Sequence, residues 1–71
     1  MSETKLKNTI KVQRAKKDLT QEQLADLVHV TRKTINTVEK GYFVPSTVLA
    51  LKLARVLEAS VEELFFLVDS E

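Results

Sequence analysis

The segment from Gln21 to Gly41, QEQLADLVHVTRKTINTVEKG, constrains the fold more than any other part of the chain. Leu24, Ala25 and Val28 recur at helical spacing, as do Ile35 and Val38, so the segment reads as two short amphipathic helices. A tight turn joins them, with Val30 as an apolar plug between the two. Placing Ile35 and Val38 inward leaves Arg32, Lys33, Asn36 and Thr37 outward on one side. Such a face offers hydrogen bonds to base edges and phosphates from a single surface.

The rest of the chain is punctuated in the same way. One Gly and one Pro in 71 residues argue against a β-sandwich or barrel and for short helices packed tightly. A first helix is expected over about residues 6–17, with Leu6, Ile10 and Arg14 on a shared face. Thr20 with Gln23 forms a capping box for the second helix, and Thr31 caps the third. Gly41 ends that third helix where a left-handed residue is needed. Pro45 and Ser46 open a fourth helix to about Leu57, interrupted in its later apolar surface only by Lys52 and Arg55. It is expected to be central and buried nearly all round. Ser60 with Glu63 is a second capping box, starting a fifth helix at Val61. The following LFFLV either finishes that helix or bends into a short strand beside the N-terminal TKLKN. Core candidates are Ile10, Leu19, Leu24, Ala25, Val28, Val30, Ile35, Val38, Leu49, Leu53, Leu57, Leu64 and Phe65. The expected fold is all-α: one domain over residues 1–71, five short helices around one core, with the terminal two-stranded pairing as its alternative ending.

This pattern resembles the helix-turn-helix of the phage Cro and lambda-repressor class, the XRE family of bacterial and phage regulators. The resemblance runs through IKVQRAKKDLTQEQLADLVHVTRKTINTVEKG, VPS and LALKLARVLEASVEELF, roughly Ile10 to Phe65, and is most specific in TQEQLA and VTRKTINTVEKG. It implies a domain whose second motif helix lies in the major groove of double-stranded DNA, its N-terminal turn at the bases. The resemblance carries base-contact positions onto Arg32, Lys33 and Thr37, and a phosphate-clamping role onto Gln21. It also sets Arg14 opposite Glu39 as an ion pair. The Arg32 guanidinium suits guanine O6 and N7, and Asn36 enters on its side-chain chemistry. Gln21 opens a helix whose free amides form an anion site. Lys40 and the amides around Gly41 and Tyr42 are expected to hold phosphate on the other side. The candidate DNA contacts are therefore Gln21, Thr31, Arg32, Lys33, Thr34, Asn36, Thr37, Lys40 and Tyr42. Three departures accompany the resemblance. Tyr42 stands where many relatives carry Lys, and His29 and Glu58 stand where Gly is common, so both are expected to need a positive φ.

Charge distribution agrees with that orientation although the net charge is only +1. Residues 1–17 carry six Lys or Arg against one Glu, and residues 31–41 carry Arg32, Lys33 and Lys40 against Glu39. Residues 42–71 hold two basic residues and five acids. A segregated field of this kind orients a domain on a polyanion. Enzymatic chemistry is not expected: the single His sits in a turn, Glu62 and Glu63 point apart on a helix, and no Gly-rich phosphate loop is present. No cysteine is available for thiolate metal sites, and no cofactor or small-molecule ligand is implied. Without a signal peptide or membrane-length apolar run, the chain is expected to be cytoplasmic.

A single recognition helix reads few base pairs, so a homodimer is expected. Val48, Phe66, Leu67 and Val68 are the apolar residues left over for its interface, unless Phe66 and Val68 fold back onto the first helix. Two functions fit these residues. One is a sequence-specific DNA-binding regulator, a repressor occupying a palindromic operator. The other is a protein-interaction module, an antitoxin-like partner on the same scaffold.

Overall fold

The structure, a computed structural model, describes residues 3–70. Met1, Ser2 and Glu71, which the single-domain expectation includes, lie outside the described residues. The order is β1 (Glu3–Asn8), α1 (Ile10–Lys16), α2 (Gln21–Val28), α3 (Arg32–Glu39), α4 (Thr47–Leu57), α5 (Val61–Leu64) and β2 (Phe65–Ser70).

Local chemistry accounts for most of the boundaries. Thr20, Thr31, Ser46 and Ser60 each accept, through the side-chain oxygen, an N–H of the first turn that would otherwise lack a partner. The Thr20 and Ser60 backbone N–H groups donate in return to the Gln23 and Glu63 side chains, completing the expected capping boxes. The helix ends are equally uniform. α1, α2, α3 and α4 each run into a left-handed residue: Asp18 (φ 55°), His29 (φ 61°), Gly41 (φ 80°) and Glu58 (φ 54°). The next residue then donates its N–H back across the last turn: Leu19 to Arg14, Val30 to Ala25, Tyr42 to Thr37 and Ala59 to Ala54. Leu19, Val30 and Ala59 pack against the core from those positions. All four chain reversals therefore satisfy helix-terminal carbonyls, and those after α1, α2 and α4 also pin an apolar residue inward.

Ten residues form the buried centre: Ile10, Leu24, Ala25, Val28, Ile35, Val38, Leu49, Leu53, Leu57 and Leu64. Leu19, Val30 and Phe65, the other expected core members, are partly buried against it. No polar or charged residue is buried among the described residues.

Two expectations need correction. The first helix starts at Ile10, not near residue 6, because residues 3–8 form β1 and pair antiparallel with β2 in the register Leu6↔Leu67 and Asn8↔Phe65. The bending alternative for LFFLV is therefore the one realised. Asn8 makes the break: its Oδ1 accepts from the Ile10 N–H at 3.2 Å, and its Nδ2 donates to the Val38 carbonyl at 2.9 Å. The Thr9 N–H and hydroxyl bond the Leu64 and Glu63 carbonyls, locking the start of α1 to the end of α5. The second correction concerns α4, which is not buried all round. Leu49, Leu53 and Leu57 are inside, but Val48 and Leu51 are more than half exposed. Four short helices and a two-stranded ribbon cannot enclose it on every side.

Candidate nucleic-acid interface

α3 turns Ile35 and Val38 into the core and leaves Arg32 and Lys33 exposed at its first turn. Asn36 and Thr37, one turn on, are half-buried at the edge of the same face. Thr31 and Thr34 are partly committed to the helix start. The Thr31 hydroxyl accepts the Thr34 N–H at 3.2 Å, and the two hydroxyls lie 3.0 Å apart. Thr37 donates its hydroxyl to the Thr34 carbonyl at 2.9 Å, which leaves its methyl and oxygen lone pairs for another group. Lys40 is exposed just beyond the helix.

Gln21 is brought to α3 from the first turn of α2. Its Nε2 lies 3.3 Å from Asn36 Oδ1 and 3.2 Å from Glu39 Oε1. Behind them Arg14 donates to Glu39 through Nε (2.9 Å) and Nη2 (3.3 Å), and to the Leu19 carbonyl through Nη1 (2.9 Å). The Arg14–Glu39 pair is thus present and largely sheltered, with side chains 16% and 7% exposed. Pairs of this kind add little net stability but are costly to break on one side. This one fastens α1, the α1–α2 turn and α3 together beneath the exposed face.

On the far side of α3, Tyr42 is almost wholly exposed and lines a shallow depression with Lys33, Thr34, Thr37 and Phe43. The amides of Gly41 and Tyr42 are not free, contrary to expectation. They close the helix by donating to the Val38 and Thr37 carbonyls. Donors on that side are Lys40 Nζ and the Tyr42 hydroxyl. Sequence reasoning missed Phe43 and Asn8; the first follows the Gly41 turn with no periodic signal, and the second reaches α3 through contacts some thirty residues away.

The helix-turn-helix family model HTH_3 matches residues 10–64, most of the chain and all of α1 to α5. The chain belongs to this family, in its XRE branch. Among its helix-turn-helix relatives, the uncharacterized HTH-type transcriptional regulator YgzD of Bacillus subtilis is 42% identical over 62 residues, covering 87% of this chain and 94% of the relative. An uncharacterized HTH-type transcriptional regulator of Archaeoglobus fulgidus is 47% identical over 66 residues, covering 93% and 94%. Among solved structures, the restriction-modification controller protein C.AhdI of Aeromonas hydrophila superimposes with a TM-score of 0.71 at 37% identity, over 76% of this chain and 82% of its own.

This helix-turn-helix domain also carries apolar surface away from α3. The β1–β2 register puts Leu6 and Leu67 on one face of the ribbon, and Phe66 and Val68 with Lys7 and Lys5 on the other. The Leu67 face continues into a groove lined by Leu6, Pro45, Leu51, Val61 and Phe65. Val48 stands one turn from Leu51 on α4 and shares its exposure. Phe66 and Val68 both lie in the ribbon. No helix among the described residues is long and apolar enough to cross a membrane.

Proposed function

We propose that this protein is a sequence-specific DNA-binding transcriptional regulator of the bacterial or archaeal cytoplasm, which occupies a palindromic operator as a homodimer and represses by occupancy. The observation that carries this reading is the first turn of α3. Arg32 and Lys33 stand exposed on the first turn of a helix held to the core by Ile35 and Val38, the turn by which such helices reach the bases of a major groove. Arg32 is assigned to guanine O6 and N7, with Lys33, Asn36 and Thr37 beside it. Phosphates are held on one flank by the N–H groups of Gln21 and Glu22 at the start of α2. On the other they are held by Lys40 and Tyr42, with Thr31 and Thr34 at the edge. Relatives named as transcriptional regulators support the same reading.

The dimer is assigned to the apolar surface around Leu67, Leu51 and Val48, with Phe66 and Val68 on the reverse of the ribbon. A monomer that exposes this much aliphatic side chain in one region fits an isologous contact. Phe66→Lys and Leu67→Lys should each lower the sedimentation coefficient toward that of a monomer. Unchanged sedimentation of both would sink the assignment.

The function is tested by selecting sites from a random duplex pool with the wild-type protein and Arg32→Ala. The expected result is a palindrome with half-sites about one helical turn apart. Arg32→Ala should weaken binding by about 1–3 kcal/mol and relax preference at one position per half-site. Equal loss on specific and random duplex would reduce Arg32 to a phosphate contact, and no enrichment by the wild type would overturn sequence reading altogether.

A further inference from the structure

We propose that Glu39, which is withdrawn from the surface, is a positioning residue that decides which hydrogen-bonding groups Gln21 and Asn36 turn toward DNA. The proposal rests on the DNA-binding reading above and deepens it. Its starting point is that a carboxylate can only accept hydrogen bonds. Glu39 Oε2 faces Arg14 Nε at 2.9 Å, and Oε1 faces both Arg14 Nη2 at 3.3 Å and Gln21 Nε2 at 3.2 Å. The end of the Gln21 amide that meets Glu39 must therefore be its nitrogen. An amide NH2 has two hydrogens, and the second is directed to Asn36 Oδ1 at 3.3 Å. That contact in turn requires oxygen on the inner side of Asn36, so its Nδ2 lies on the opposite side of the amide.

A polarity is thus passed from Arg14 through Glu39 and Gln21 to Asn36, across α1, α2 and α3. Its outcome at the half-buried edge of α3 is specific. Asn36 offers two donors, and Gln21 offers its Oε1 as an acceptor while both its side-chain hydrogens are held within the protein. In the major groove Asn36 is then matched to acceptor edges: purine N7, guanine O6 or thymine O4. It is mismatched to the exocyclic amines of cytosine and adenine. Gln21 is matched to those amines, and its side chain is poorly suited to a phosphate oxygen. The contribution of this residue to phosphate binding runs through its backbone N–H at the start of α2 instead.

Glu39→Gln tests the relay with almost no change in shape. The shorter of the two Arg14 contacts, Nε to Oε2 at 2.9 Å, holds the new amide's oxygen at the Oε2 place. The NH2 therefore takes the Oε1 place, facing Gln21 and giving up the longer 3.3 Å bond from Arg14 Nη2. Gln21 then turns its oxygen inward, and Asn36 must turn Nδ2 inward and Oδ1 outward. The experiment is parallel site selection with wild type, Glu39→Gln, Gln21→Ala and the Glu39→Gln/Gln21→Ala double variant, each checked for folding by circular dichroism. At the position read by Asn36, located as the one whose preference Asn36→Ala removes, Glu39→Gln should shift preference about 3- to 10-fold from acceptor-bearing to donor-bearing edges, the range of one exchanged hydrogen bond. Gln21→Ala should leave that position tolerant, and in its background Glu39→Gln should add nothing. A folded Glu39→Gln variant with the wild-type profile would overturn the relay. So would a profile shift that persists without Gln21. If Glu39→Gln does not fold, Gln21→Ala decides alone, since it leaves the Arg14–Glu39 pair intact; an unchanged profile there overturns the proposal. A wild-type protein that selects no sequence refutes the DNA reading itself, a result distinct from all of these.

Discussion

Among the described residues three non-glycine residues, Asp18, His29 and Glu58, adopt the left-handed conformation, and His29 is the cleanest place to measure what that costs. Its φ of 61° brings Cβ toward the following carbonyl oxygen. That conformation costs an L-residue roughly 1–2 kcal/mol, with His and Asp on the tolerant side. Glycine removes the clash but gives the unfolded chain more freedom, which returns about 0.4–1 kcal/mol. His29→Gly should therefore stabilise by about 0.5–1 kcal/mol and raise the melting midpoint by about 2–8 °C for a domain of this size. The imidazole makes no hydrogen bond among the described residues, and the backbone bonds to Asp26 and Ala25 that close α2 survive the change. Thermal unfolding followed by circular dichroism is sufficient, with His29→Ala as the control. Alanine keeps Cβ and should give no comparable gain. A rise in the alanine variant equal to that in glycine would refute the reasoning, because relief would then come from losing the ring. Asp18→Gly should behave like His29→Gly. Glu58→Gly should gain less, since it also removes the 2.8 Å contact with Lys17.

Acid should weaken the fold through two identified carboxylates. Lys17, through its hydrogen bond and then its charge, holds Glu58 below the ordinary value of 4.5. The Ser60 backbone N–H, then its hydroxyl, does the same for Glu63. A depressed folded-state pKa contributes stability that is complete above pH 4.5 and lost as pH falls through the folded value. Melting temperature should therefore decline below pH 4.5, and Glu63→Gln, which can still accept from Ser60, should show a shallower decline; an identical acid slope would remove Glu63 from the account. In the core, Leu53→Ala should cost about 2–5 kcal/mol, a large share of the roughly 4–11 kcal/mol expected for 71 residues. A loss under 1 kcal/mol in urea unfolding would show that α4 can collapse into the space.

What was readable in the chain and what was not divide along sequence separation. The caps at Thr20, Thr31, Ser46 and Ser60 and the core faces of α2 and α3 depend on residues three or four apart, and a local pattern suffices for them. Leu6, Ile10 and Arg14 also have helical spacing, yet Leu6 belongs to a strand. The alternation Lys5, Leu6, Lys7 competes with that spacing, and the contest is settled by Leu67, which is distant in the chain and adjacent in space. Exposure of Leu51 was unreadable for the complementary reason: it depends on how much surface the other elements have left to cover. Asp18 was missed although its signal is local. A polar residue followed by an apolar one ends three helices here: Asp18 with Leu19, His29 with Val30, and Glu58 with Ala59. Only the positions that relatives fill with glycine drew notice.

The same division runs through the candidate interface. Arg32 and Lys33 could be picked out because exposure and charge are properties of one helical turn. The orientation of Gln21 and Asn36 could not, since it follows from a carboxylate that lies three residues from Asn36 in sequence but reaches Gln21 only across the α2–α3 crossing. Residue types along α3 name the groups available to read a groove. Which atoms of those groups face outward is decided from beneath, by an acceptor-only side chain fixed by Arg14. Two chains alike along the outer face of α3 but different at position 39 should therefore read different bases, because the side-chain amides at positions 21 and 36 can each be turned either way.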